Sequence, residues 1–226
     1  MASSYFITGT DTDVGKTLVA GALMLALQAH GKTVAGFKPV SAGCEITTNG
    51  LRNRDAVLLQ SLSSVELPYN IVNPYAFEDP VAPHIAADAQ GVVMQLSKIH
   101  KCYQEIASQV DIVIIEGAGG WLVPFDAENS MAEVASQLTD KVILVTAMRL
   151  GCLNHTLLTA QSIMQARMKI AGWVANSVTR NMHGYRENIR SIISRLDCPI
   201  LGEIHYDEKI SSAGISELLD VNSLLN

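Results

Sequence analysis

The segment Gly9-Thr10-Asp11-Thr12-Asp13-Val14-Gly15-Lys16-Thr17 joins two glycines, a lysine and a hydroxyl in the pattern of a loop that cradles phosphates. A tight turn opening a helix leaves backbone N–H groups without intrahelical partners. Together with the positive end of the helix dipole, these attract an anion. Gly15 admits close backbone approach, Lys16 brings a mobile positive charge to the outer phosphates of a nucleoside triphosphate, and Thr17 offers a hydroxyl to the accompanying Mg²⁺. Asp13, Val14 and Leu18 adjoin these residues and are expected to contact the same ligand. Five residues, Thr10 to Val14, separate the glycines where the common pattern has four, so this loop is one residue longer. A turn whose lysine merely faces solvent is the bland alternative. The flanks weigh against it, because Tyr5-Phe6-Ile7 reads as a strand and Leu18 to Ala29 as a long apolar helix.

Further charged residues fall at strand ends. Ile112 to Ile115 is a buried-strand pattern running into Glu116-Gly117-Ala118-Gly119-Gly120. Ligands of parallel sheets bind beyond the carboxyl ends of the strands, so Glu116 is expected beside the phosphate loop, where a carboxylate suits Mg²⁺. Lys38, in Phe37-Lys38-Pro39-Val40, ends another strand at the same edge. With the loop nearby it reads as a second cation for phosphoryl transfer, a reaction catalysed mostly by positioning and charge stabilisation. Asp55 lies among arginines in Gly50-Leu51-Arg52-Asn53-Arg54-Asp55, and spacing leaves open whether it is a surface ion pair, a helix cap or a ligand.

The elements that must position these groups are visible as continuous apolar runs at 5–8, 33–37, 112–115, 142–145, 170–175 and 200–204. Runs without polar alternation predict strands buried on both faces, hence a doubly wound, mostly parallel α/β sheet with helices on each side. Ile189, Ile192, Ile193 and Leu196 carry helical spacing, and Asn154 is expected to cap a helix containing Leu157, Leu158, Ile163 and Met164. The segment from Glu66 to Gly91 carries Pro68, Pro74, Pro80 and Pro83, which predict an irregular excursion that walls the active site. The tail from Ile210 to Asn226, with Ile215, Leu218, Leu219 and Leu225 at helical intervals, is expected to pack on the domain.

At 226 residues one domain, 1–226, accounts for the chain. A formal charge of −6 with 48% hydrophobic and 17% charged residues argues against disorder and against a general nucleic-acid surface, so a small ligand is the expected partner. Met1-Ala2-Ser3-Ser4 lacks a basic, apolar leader, and no helix is expected to span a membrane, which together suggest a cytoplasmic protein. The four cysteines lie far apart and are expected to be reduced, and the six histidines lack paired metal-ligand spacing.

Taken together, these motifs closely resemble the dethiobiotin synthetase family. The matching residues are 9–17, Gly36-Phe37-Lys38-Pro39-Val40, 50–55, Asn73-Pro74-Tyr75, Pro83-His84-Ile85, Glu116 to Trp121, 150–155, Gly172-Trp173-Val174-Ala175-Asn176 and Leu201-Gly202-Glu203-Ile204, in order along nearly the whole chain. The resemblance implies ATP-dependent closure of a ureido ring on 7,8-diaminononanoate with CO₂. It assigns Lys16 and Lys38 to the γ-phosphate and carbamate, Thr12 to the substrate amine or carbamate, and Thr17, Asp55 and Glu116 to Mg²⁺. Gly117, Ala118, Gly119, Asn176, Ser177 and His205 would line the nucleotide, with Asn176 reading adenine through its amide. Ser41 and Ala42 would line the substrate. The resemblance also implies a homodimer in which Gly151, Cys152 and Asn154, at a helix N-terminus, hold the carboxylate of the partner's substrate.

The chain departs from the family where Ser41-Ala42-Gly43 replaces the usual Ala-Ser-Gly, which suggests that the hydroxyl points elsewhere. It also departs where His205 replaces a proline, suggesting looser nucleotide selectivity, and at Asp13, where Glu is frequent. Two alternatives stand beside the synthetase reading. One is a partner-regulated switch ATPase, against which the absence of a further lysine early in the loop counts. The other is a duplicated family member with altered substrate or little activity, motivated by Ala42 and His205.

Overall fold

The computed structural model describes residues 2–225, so Met1 and Asn226, the ends of the expected domain, lie outside the described residues. In chain order the elements are β1 (Ser3–Gly9), α1 (Lys16–Ala29), β2 (Val34–Phe37), β3 (Val40–Ser41), β4 (Glu45–Thr47), β5 (Gly50–Arg52), α2 (Arg54–Ser61), α3 (Tyr69–Val72), β6 (Tyr75–Ala76), α4 (Pro83–Ala89), α5 (Leu96–Ala107), β7 (Ile112–Glu116), α6 (Met131–Ser136), β8 (Lys141–Ala147), α7 (Cys152–Gln165), β9 (Lys169–Asn176), α8 (Tyr185–Ile193), β10 (Ile200–Ile204) and α9 (Ser212–Ser216). All six apolar runs are strands of one parallel sheet in the order β10-β9-β8-β1-β7-β2.

Alternate residues of these strands enter two different cores, which is why the runs are continuously apolar. Tyr5, Ile7, Ile112, Ile114, Ile143 and Val145 pack with Val19, Leu23 and Leu27 of α1, with Ile215 of α9 and with Leu224. Phe6, Val113, Ile115, Val142 and Leu144 pack instead with Ile106 of α5, Val134 of α6, Ile163 of α7 and Ile192 of α8. The tail therefore covers one face of the sheet. The Tyr5 hydroxyl donates to the Leu224 carbonyl at 2.7 Å and ties it down. Leu218 is exposed and does not share in this packing.

Parallel register sets the site. Ile7 pairs with Glu116, so the strand that feeds the phosphate loop runs beside the one that ends in the carboxylate. Phe37 pairs with Ile115, which brings Lys38 level with Glu116. At the β2 margin of the sheet, the N–H groups of Val34 and Gly36 donate to the hydroxyls of Ser64 (2.9 Å) and Ser63 (3.0 Å). There too the Val34 carbonyl accepts from Ser64 N–H at 2.8 Å. At the opposite margin the Leu201 carbonyl of β10 accepts from Asp220 N–H at 2.8 Å.

Two local expectations are corrected. The 66–91 segment holds α3, β6 and α4, because Pro68 stands at the N-cap of α3 and Pro83 in the first turn of α4. At those positions a missing N–H costs nothing and the fixed φ suits helix initiation. The cap of α7 is Gly151, and Asn154 lies within the first turn.

Gly36 lets β2 approach α2. A Cβ there would lie 2.6 Å from Leu59 Cβ and 3.1 Å from the Leu59 carbonyl. Gly36→Ala is expected to lower the unfolding free energy by about 1–3 kcal/mol, the range for an overpacked core, as measured by urea denaturation. An unchanged midpoint would show that α2 yields at no cost.

Candidate active site

Gly15 caps α1 in the left-handed region, at φ 91°, with no side-chain cap, so the loop's N–H groups remain available to an anion. The same position is crowded, because a Cβ there would run into the amide nitrogen of Asn176. That amide donates to the Val14 carbonyl at 2.8 Å and pins the loop to the end of β9. Asp13 is held at φ 56°, an uncommon conformation for a residue other than glycine. Lys16 Nζ donates to the Asp11 carbonyl at 2.9 Å, and the Asp11 carboxylate accepts from Arg149 Nη2 at 2.6 Å.

Beside the loop, four of the expected residues converge. Lys38 Nζ lies 2.7 Å from Glu116 Oε1 and 3.0 Å from Asp55 Oδ2, and the Thr17 hydroxyl donates to Glu116 Oε1 at 2.8 Å. Asp55 sits in the first turn of α2, whose N-cap Asn53 accepts from the N–H groups of Asp55 and Ala56. Asp55 is therefore neither the cap nor an arginine's surface partner. Among the described residues Glu116 Oε2 has no hydrogen-bond partner, although it is buried. An orphaned carboxylate oxygen beside a hydroxyl and a second carboxylate is a small set of hard oxygen donors. It fits Mg²⁺, which takes few protein ligands and completes its shell with water and phosphate oxygens.

The charges here shape one another. Burial pulls Lys38 toward neutrality, but Glu116 and Asp55 outweigh it, and its pKa is raised. For Asp55 burial acts upward, yet Lys38 prevails and the carboxyl titrates below its ordinary range. Lys16 has weaker compensation: burial, and then the nearby Lys38 charge, lower it to about 8.

An open cleft of about 540 Å³ runs past this cluster, lined by Thr12, Asp13, Lys38, Ser41, Ala42, Asp55, Ala118 and Gly119, with Pro80 to Pro83 as one wall. The proline-rich segment thus borders the site, as expected. The residues at 151, 152 and 154 are not among those lining this cleft.

Residues 3–213 match a family described as "AAA domain". The ATP-dependent dethiobiotin synthetase of Aeromonas hydrophila is 45% identical over 226 residues, 100% of both chains. That of Nitrosospira multiformis is 46% identical over 98% of this chain and 96% of its own. The chain belongs to the ATP-dependent dethiobiotin synthetase family. Among solved structures, the MinC:MinD cell division protein complex of Aquifex aeolicus has a TM-score of 0.61 at 18% identity, covering 96% of this chain and 87% of that one. The signal recognition particle receptor FtsY of Elizabethkingia anophelis, in complex with GDP, has a TM-score of 0.53 at 15% identity, covering 90% of this chain and 57% of that one. These two likenesses are of fold alone.

The departures from the synthetase pattern have visible consequences. Ser41 borders the cleft, but its hydroxyl turns inward and donates to Asn73 Oδ1 at 2.8 Å. His205 is exposed, with its ring 5.8 Å from that of Tyr185, and Ser177 N–H donates to the Ile204 carbonyl at 2.8 Å. Leu18 contributes its carbonyl to the Ser212 hydroxyl at 3.1 Å. Sequence reasoning missed Asp11, Arg149, Asn53 and Asn73. The asparagines stood in quoted motifs, but nothing local showed their partners across the chain.

Because burial and the Lys38 charge lower Lys16 to about 8 and phosphates favour its ammonium form, triphosphate binding should draw protons from solution above that pH. Calorimetry of ATP binding in buffers of different ionisation enthalpy is expected to show uptake at pH 8.5 that shrinks at pH 7 and disappears in Lys16→Gln. Equal uptake in that variant would assign the proton elsewhere.

Proposed function

We propose that this chain is an ATP-dependent dethiobiotin synthetase, a C–N bond-forming cyclo-ligase of biotin synthesis that acts as a single cytoplasmic P-loop α/β domain, 1–226. The observation that carries the reading is Lys38. It is a second lysine, buried at the phosphate loop between two carboxylates and bordering the cleft. Binding a triphosphate needs only the loop and Lys16, whereas moving a phosphoryl group onto another anion calls for a further positive charge between donor and acceptor.

In this reaction one amine of 7,8-diaminononanoate adds to CO₂, losing a proton and forming a carbamate. The carbamate oxygen bonds to the γ-phosphorus of ATP as the bond to ADP breaks, giving a carbamic–phosphoric anhydride. The second amine then attacks the carbamate carbon, closes the ureido ring, loses its proton and expels phosphate. Lys16, once free of the Asp11 carbonyl, holds the outer phosphates, and Lys38 holds the carbamate and the transferring group. Thr12 orients the reacting amine. Asp13, Val14, Gly15, Leu18 and Gly117 to Gly119 bind the nucleotide, with Asn176, Ser177 and His205 toward its base. Thr17, Asp55 and Glu116 are the residues to hold Mg²⁺, which when bound neutralises phosphate charge. Asp55 and Glu116 also keep Lys38 protonated, so its charge is in place before the phosphoryl group moves.

The proposal includes a homodimer in which Gly151, Cys152 and Asn154 anchor the carboxylate of the partner's diamine at the start of α7. Three exposed leucines near that end support it: Leu150 is 98% exposed, Leu122 63% and Leu158 57%, and the last two line one shallow groove. Leu150→Asp is expected to shift the protein from dimer to monomer in sedimentation velocity and to raise the KM for the diamine. A protein that is monomeric before substitution would remove this part of the reading.

A product assay with diaminononanoate, bicarbonate and several nucleotides is expected to yield dethiobiotin, ADP and phosphate. ATP hydrolysis stimulated only by a protein, DNA or membrane partner would favour a switch ATPase instead. Lys38→Leu should lower kcat by about 10²–10³-fold, the scale of removing one preorganised charge-stabilising donor, while leaving ATP affinity nearly intact. An equal loss in ATP binding would contradict the assigned role.

A further inference from the structure

Lys38 owes its position to a hydrogen-bonded hub outside the site. Its backbone N–H donates to the Val72 carbonyl at 2.8 Å, and its carbonyl accepts from Asn73 Nδ2 at 2.7 Å, so both polar groups of its peptide are held by two successive residues. Asn73 is 3% exposed. Its Nδ2 also donates to the Tyr75 carbonyl at 3.2 Å, while Oδ1 accepts from the hydroxyls of Ser41 at 2.8 Å and Tyr69 at 3.0 Å. Every hydrogen-bonding position of the amide is therefore used. The Tyr69 hydroxyl in turn accepts from the backbone N–H of Asn53 at 2.7 Å. Asn53 caps α2 and accepts from the Asp55 N–H at 3.1 Å. A continuous chain of buried and half-buried bonds thus joins the peptide of Lys38 to the helix start that carries Asp55.

The side chains carried by its two ends meet in the site, with Lys38 Nζ 3.0 Å from Asp55 Oδ2. Lys38 is followed by Pro39, which has no N–H, so the pairing that would hold this corner is interrupted and resumes only at Val40, opposite Tyr75. Asn73 takes over that task. A glutamine is a methylene too long, and an aspartate has no proton for the Lys38 carbonyl. We propose that Asn73 is a positioning residue for phosphoryl transfer. Through the Lys38 carbonyl on one side, and Tyr69 and Asn53 on the other, it sets the spacing between the Lys38 ammonium and the Asp55 carboxylate. This inference rests on the synthetase reading and extends it to a residue that touches no reactant.

The test compares Asn73→Ala, Asn73→Asp and Tyr69→Phe with the unaltered protein by steady-state kinetics, binding of a non-hydrolysable ATP analogue, thermal unfolding and crystallography. Both Asn73 variants are expected to lose about 10²-fold in kcat, the scale for an ångström of misplacement, with the Kd of the analogue unchanged. Tyr69→Phe, which keeps the ring and removes only the relay hydroxyl, should lose several-fold in kcat with little change in Tm. Crystals of Asn73→Asp should show Lys38 Nζ moved out of hydrogen-bond distance of Asp55. The proposal is overturned if the kcat losses track Tm and vanish on cooling, or if Lys38 stays 2.7 Å from Glu116 and 3.0 Å from Asp55 in the variant. Should the unaltered protein form no ureido product, the synthetase reading falls, and the Lys38–Asp55 spacing in the variant still decides the role of Asn73.

Discussion

Lys38 and Glu116 lie 2.7 Å apart with almost no solvent contact, and either charge alone would cost several kcal/mol to bury. Nature's usual resolution for such a group is to neutralise it. Here Glu116 and Asp55 instead keep the Lys38 ammonium charged, and Lys38 in turn holds the Asp55 carboxyl below its ordinary range. The arrangement demands that the ends of β2 and β7 stay in register, that α2 deliver Asp55 from the side, and that backbone and hydroxyl groups take up the remaining bonds. The close approach of β2 and α2 at Gly36 serves this demand as much as it serves packing.

The phosphate loop shows a related economy. Lys16 donates to a carbonyl of its own loop, and the carboxylate of that same residue, Asp11, receives Arg149 from the segment just before α7. Asp11 thus links the phosphate loop to the helix start that the synthetase reading gives to the partner's substrate. The extra residue of the loop sits in this stretch, where Asp11 to Asp13 face solvent.

Most of the scaffold was legible in the chain because its signals are local and redundant. Six apolar runs buried on both faces leave little choice but a parallel sheet, and strand ends then place Glu116 and Lys38. What escaped depends on long-range geometry. Asp55 among arginines could not be read until Asn53 was seen to cap α2 and turn that carboxylate toward Lys38. Ser41 lines the cleft, but only the distant Asn73 shows why its hydroxyl faces away. Prolines signal breaks, yet Pro68 and Pro83 initiate helices. Residue type favours Asn154 as a cap, while the backbone gives that place to Gly151. The short hairpin β4–β5 offers a single apolar pair, the exposed Ile46 opposite the half-buried Leu51, and three-residue strands are too short to show a periodicity.

A parallel sheet of this kind ends in two strands whose outer polar groups are open to pairing with any passing extended chain. At the β2 margin, Ser63 and Ser64 bond to the strand's own N–H and C=O groups, and Val72 takes the N–H of Lys38 just beyond it. The tail does similar service for β10 through Asp220. Chain outside the sheet thus covers part of each border. One result is a poorer template for edge-to-edge aggregation and for strand exchange between copies, because two donors and an acceptor of β2 and one acceptor of β10 are already engaged. Another is that contacts between copies are directed to helix faces and loops, where side chains rather than backbone ladders set the specificity.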